Sequence, residues 1–175
     1  MIKKLFTLLV VALAGFAIIV SMQPDDFRIT RSLPMNVPAA AVFAHVNDVK
    51  QWDAWSPWAK LDPKATMSFE GPAAGVGAIT KWSGNNDVGE GSQTIIESRP
   101  PEFIKFKLDL VRPMEAHNNV EFTFKPTGNQ TVVTWSMYGK NNFIGKAFSL
   151  ILNCDKMVGG QFEKGLASLK AVVEK

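Results

Sequence analysis

Cysteine is nearly absent from this chain: Cys154 stands alone among 175 residues. One cysteine closes no internal disulfide, so thiol content is compatible with oxidising and reducing compartments alike. Histidine is almost as scarce, with only His45 and His117. Zinc sites gather three or four His, Cys or carboxylate ligands, and these two histidines lie in different segments, so neither a metal site nor a cofactor is expected. Each reads as a surface or packing histidine, and no general base or nucleophile stands out; no catalytic residue is nominated. A strong excess of one charge is also missing. The formal net charge is +3, two units of which come from Lys3 and Lys4. The pI near 9.0 is therefore no nucleic-acid footprint. The glycine-rich stretches 71–77 and 84–91 separate strand-like runs and open no helix, which excludes a phosphate cradle. No internal repeat or low-complexity segment occurs, and nothing bears on oligomeric state.

Charge is absent altogether from residues 5–22. A helix of that length reaches about 27 Å, close to the roughly 30 Å hydrocarbon core of a bilayer. A cleaved signal peptide competes with an uncleaved anchor, because a basic start followed by an apolar run describes both. The end of the run, Ile18-Ile19-Val20-Ser21-Met22, is poor in the small residues that cleavage needs, which favours the anchor. Lys3 and Lys4 before the run and Asp25 and Asp26 after it favour an extracytoplasmic (periplasmic) domain. The organisation expected is an anchor or signal over residues 1–22 and one domain over residues 23–175.

Within that domain Phe27, Ile29 and Leu33 alternate with Arg28, Thr30 and Ser32, the period-two signature of a half-buried strand, and Arg31 falls on the apolar side. Pro34 and Pro38 close the strand, and residues 39–46 form a short helix opened by Pro38. Trp52, Trp55 and Trp58 follow at spacing three, either as a core plug joining helix to sheet or as the rim of a ligand cavity. Strand patterns then recur at residues 66–70, 78–83, 90–98, 103–110, 116–124 and 131–138, separated by Gly, Pro and Asn turns. That succession describes an antiparallel meander. Lys105, Lys107, Asp109, Glu121, Thr123 and Thr134 oppose the apolar faces, so one side of the sheet is wet.

Residues 141–153 carry Phe143, Ile144, Ala147, Phe148, Ile151 and Leu152 and read as a short helix leading into the last element. From Asp155, a plausible N-cap, the chain ends in a helix of about five turns. Val158, Phe162, Leu166, Leu169 and Val173 share a stripe roughly 80° wide. Such a stripe needs a sheet to cover it. The fold class expected is α+β, an antiparallel sheet curled around a long C-terminal helix and preceded by one transmembrane helix.

The order strand, two short helices, six strands, long helix is that of the helix-grip fold. The chain resembles the START/Bet v 1-like superfamily, in particular its bacterial polyketide-cyclase-like (SRPBCC) branch. The resemblance rests on Arg31-Ser32, residues 52–58 with their Trp55-Ser56-Pro57-Trp58 ending, Gly89-Glu90-Gly91, Pro100-Pro101-Glu102, residues 131–135 and residues 155–169. It implies a cavity between sheet and terminal helix that takes a hydrophobic or amphipathic small molecule, without naming the ligand. Strand parity and the helix stripe wall such a groove with Trp82, Phe106, Phe122, Trp135 and Phe162, with Trp55 a candidate for its rim. Gly159-Gly160 near the start of the terminal helix removes side chains and points to a gap there. Polar groups sent inward by parity are Arg31, Asn118 and, if Ile96 faces in, Glu90, Ser92 and Thr94; they orient a ligand or pair with one another. Three functions follow: a membrane-anchored binding domain for a lipid-like molecule, a cyclase or dehydratase acting in the same cavity, or an envelope interaction domain with a closed core. The lack of an evident acid/base pair favours the first.

Overall fold

A computed structural model of the protein describes residues 2–175. The uncharged run folds as α1 (Ile2–Ser21), long and apolar enough to cross a membrane, with nearly all of its side chains exposed. The chain continues through β1 (Asp26–Met35), α2 (Ala39–Asn47) and a 3-10 turn (Val49–Ala54). Six strands follow: β2 (Thr66–Glu70), β3 (Ile79–Ser83), β4 (Glu90–Arg99), β5 (Phe103–Arg112), β6 (Ala116–Thr127) and β7 (Gln130–Lys140). Helices α3 (Phe143–Ile151) and α4 (Cys154–Val173) close the chain.

The seven strands form one antiparallel sheet in the order β1-β7-β6-β5-β4-β3-β2. The first strand pairs with the last, so the meander leaves β1 and β2 as edges. An edge position explains why Pro34 does not end β1: Pro34 faces Val132 across the β1–β7 pair, and an edge strand has one side where no N–H is needed. The outer face is wet as the alternation predicts, with Lys107 on Asp109 at 2.9 Å and His117 Nδ1 at 2.7 Å from the same carboxylate.

Helix α4 packs chiefly along β1, and also against β7, α2 and the 3-10 turn. Its stripe is buried as the spacing requires, with Phe162, Leu166 and Leu169 at the centre of the apolar core. Asn153, not Asp155, caps it: the Asn153 side chain accepts from the backbone N–H of Lys156 at 2.9 Å. Asp155 lies in the first turn and is taken by Arg31 instead. This is the helix-grip arrangement, a seven-stranded sheet closed by a C-terminal helix.

Candidate functional site

One half of the sheet's inner face is solid. The 3-10 turn drives Trp52 into it, with ring centroids 5.2 Å from Phe106, 5.8 Å from Phe122 and 6.1 Å from Trp135. Trp52 is fixed by its indole N–H, which donates to the Val46 carbonyl at 2.9 Å. Trp55 packs beside it and is 1% exposed. Edge-to-face contacts of this kind add about 0.5–1.5 kcal/mol per pair beyond burial, so the cluster clamps turn to sheet.

The other half is hollow. Because α4 favours the β1 edge, β3 to β5 are left facing a cavity of ≈ 380 Å³, within the range of about 300–1,000 Å³ usual for small-molecule sites. Its walls are largely apolar: Trp82, Leu108, Leu110 and Val120 from the sheet, Met137 and Trp135 from β7, Val158 and Phe162 from α4. Residues 56–65 form the lip with Trp58. The wall residues are held in place by small neighbours. Trp82 lies over Gly91, where an added Cβ would come within 2.9 Å of the indole, a common reason for glycine inside a strand.

Charged residues occur in the lining at three positions, Asp53, Asp62 and Arg112. Asp62 is occupied by the backbone N–H groups of Asn85 at 2.7 Å and Lys64 at 3.0 Å. Arg112 donates to Glu90 at 2.9 Å, and Asp53 is exposed. None forms an acid/base pair in the interior. Among the described residues no group of three or more His, Cys, Asp or Glu side chains is placed to hold a metal ion. Two lining residues carry buried polar atoms with no partner, Thr80 Oγ1 and Trp135 Nε1; Trp55 Nε1, behind the wall, is the third such atom among the described residues.

Of the nine residues nominated from sequence, Trp82, Trp135 and Phe162 meet at this cavity. Phe106, Phe122 and Trp55 do not line it; they fill the solid half behind Trp135. Glu90 faces the outer surface, with Ser92 and Thr94 on the same side of β4. Ile96 does not face in: Ile95 is the buried residue and Ile96 is exposed, with a register shift between Ile95 and Glu97. A one-residue slip sends every side chain to the other face, so Gln93 reaches the cavity and Glu90 does not. Asn118 is buried near the start of β6 against Gly139, opposite Leu108 of the cavity wall, and does not line the cavity itself.

Arg31 also lies elsewhere. It leaves β1 toward α4, where its Nε donates to Glu163 at 2.6 Å and its Nη2 to Asp155 at 2.9 Å. These carboxylates push the guanidinium pKa further up, and the Arg31 hydrogen bond holds Asp155 below its ordinary value of 3.8. The guanidinium occupies the place that a Cβ on Gly159 would take. The close approach signalled by Gly159-Gly160 is thus Arg31, and Gly160 faces open space. Arg31 latches helix to edge strand.

Residues 26–174 match the family described as "Polyketide cyclase / dehydrase and lipid transport". The chain belongs to that family. No curated protein matches it. Among solved structures this polyketide cyclase/dehydrase and lipid transport family member is similar to protein CV1439 from Chromobacterium violaceum, with 15% identity and a TM-score of 0.60 over 87% of this chain and 99% of that one. It is similar to ginseng major latex-like protein 151 from Panax ginseng, with 13% identity and a TM-score of 0.59 over 85% of this chain and 97% of that one. The di-domain ARO/CYC BexL of the BE-7585A biosynthetic pathway aligns with a TM-score of 0.62 and 14% identity, covering 89% of this chain and 52% of BexL. Identities this low speak to the fold. Family and fold together support a hydrophobic ligand-binding or cyclase domain.

Proposed function

We propose that this family member is a single-pass membrane protein, anchored by residues 5–22. Residues 23–175 hold a hydrophobic or amphipathic small molecule on the extracytoplasmic side and do not turn it over. The observation that carries the reading is the cavity itself, a largely apolar hollow whose charged residues are engaged or open to solvent. A few fixed polar groups among apolar walls orient an amphipathic ligand; Thr80, Trp135 and Gln93 are such groups here. The lipid-transport part of the family description supports the binding reading. The hollow half supports this reading over the closed-core alternative.

The cyclase or dehydratase reading keeps one observation in its favour, the likeness to an ARO/CYC fold. Turnover of an apolar substrate that disappears in Arg112→Ala would promote it.

Four of the five tryptophans, Trp52, Trp58, Trp82 and Trp135, line the cavity, so their emission reports occupancy. Titration of the full chain in detergent with fatty acids or quinones is expected to change that emission saturably at one site per chain. Linear quenching with no saturation for any apolar class contradicts the reading. For the anchor, alkaline carbonate is expected to leave the full-length chain in the membrane pellet, and protease added to spheroplasts to digest the domain. A soluble mature form starting near Gln23 contradicts it.

A further inference from the structure

Helix α3 is amphipathic, yet it is turned the wrong way round for a soluble domain. At about 100° per residue Phe143, Ile144, Phe148 and Ile151 fall within roughly 140° of one another, while Gly145, Lys146 and Ser149 take the other side. In a globular protein the apolar side of such a helix faces the core. Here the reverse holds. Phe143, Ile144, Phe148 and Ile151 are 52, 59, 50 and 70% exposed, and Leu152 just beyond the helix is 41% exposed. The side turned inward is small or polar: Gly145 is buried, and the Lys146 side chain, only 11% exposed, is paired with Asp25. A contiguous apolar patch of large side chains on a small domain marks a contact surface.

The chain itself says what covers it. Helix α3 packs beside α1. Asp25, which holds Lys146, follows Ser21 at the end of α1 by four residues, a distance that even an extended chain limits to about 14 Å. The Asn141 N–H donates to the Asp25 carbonyl at 2.7 Å, tying the start of α3 to the same linker. Wherever α1 enters a bilayer, α3 is delivered to its surface with the apolar side outward.

We propose that α3 is an interfacial membrane-docking helix, lying in the plane of the bilayer with Phe143, Ile144, Phe148 and Ile151 in the headgroup and upper acyl region. The proposal rests on the reading of α1 as a membrane anchor. It fixes the domain's posture as well as its tether. The crevice under α3, bounded by β1 and the start of α4, is then held at the membrane surface; Met137 and Val158 line both this crevice and the apolar cavity.

The test uses the full chain reconstituted in phosphatidylethanolamine/phosphatidylglycerol vesicles. In a Cys154→Ser background, single cysteines at Phe148 and Ile151 on α3, Leu13 on α1 and Lys164 on the exposed side of α4 carry an environment-sensitive fluorophore. Lipids with a nitroxide high on the acyl chain are expected to quench the α3 labels, nitroxides deeper in the chain the Leu13 label, and water-soluble iodide only the Lys164 label. If Leu13 is quenched by lipid while Phe148 and Ile151 are quenched by iodide as readily as Lys164, docking is overturned and the anchor stands. If Leu13 also escapes every lipid quencher, α1 is not in the bilayer and both readings fall.

Discussion

The Trp135 indole lies flat on the Phe162 ring, with centroids 4.3 Å apart and planes 9° from parallel. One residue belongs to β7 and the other to α4, and both also line the cavity, so this stack joins the helix to the sheet at the wall of the site. Truncating a buried aromatic to alanine typically costs about 3–5 kcal/mol, a large share of a total of about 5–15 kcal/mol. Phe162→Ala combined with Leu166→Ala is expected to leave the domain largely unfolded, as read by circular dichroism on heating. An unchanged melting curve contradicts the role given to α4.

Three glycines on α4 are expected to respond differently to the same substitution. Alanine in a helix interior is favoured over glycine by about 1 kcal/mol. At Gly160, where an added Cβ meets nothing within 4 Å, Gly160→Ala raises stability by close to that amount. At Gly165 the Cβ would lie 2.7 Å from Trp135 and 3.0 Å from Pro57, and at Gly159 it would strike the Arg31 guanidinium. Gly165→Ala lowers stability despite the propensity gain, while Gly159→Ala, whose Cβ displaces the Arg31 guanidinium, gains less than Gly160→Ala. Urea denaturation of the three variants checks the order.

The Arg31 latch makes stability depend on acid. Asp155 is held below its ordinary 3.8 by the Arg31 hydrogen bond, so its carboxylate binds fewer protons folded than unfolded. The stabilisation is in place above that ordinary value and is lost as pH falls below it toward the depressed folded value. Asp155→Asn is expected to be less stable than wild type near neutrality and to show a shallower loss from pH 5 down to pH 3. Both partner carboxylates are more than half exposed, so high salt is expected to narrow the difference. Parallel curves for the two proteins contradict the latch.

Thr80 is 2% exposed with its hydroxyl unpartnered, a burial that costs about 1–3 kcal/mol when no partner is present. Thr80→Val removes the orphan at nearly constant shape. The empty protein is expected to melt higher by a few degrees, since about 1 kcal/mol shifts a domain of this size by about 2–4 °C. Affinity for a ligand bearing an oxygen is expected to fall. A lower melting temperature in the empty protein contradicts this.

The strands, the wet face of the sheet and the stripe of α4 were legible because each rests on a repeating pattern that one buried face enforces. The site was legible only in part. Ile95-Ile96 offers two apolar residues in a row, so parity alone leaves the face of β4 undecided; Gly91, which seats Trp82, was the clue to the right choice. Alternation along β1 places Arg31 on the inward side. The pattern carried no sign that α4 brings two carboxylates to the sheet's edge, since that contact spans more than a hundred residues. Trp55, Phe106 and Phe122 are aromatic and inward in the same way as Trp135, and only the off-centre seat of α4 decides which of them faces a gap. The spacing predicts helix α3, but the direction its apolar side faces depends on α1 and the linker.

The most direct measurement is mass spectrometry of the full chain released intact from gentle detergent, with and without prior incubation in a total lipid extract. One apolar or amphipathic molecule per chain is expected, with occupancy lost in Leu108→Trp, which fills the cavity while the outer face of the sheet is untouched. A folded chain that always flies empty, before and after the extract, contradicts it.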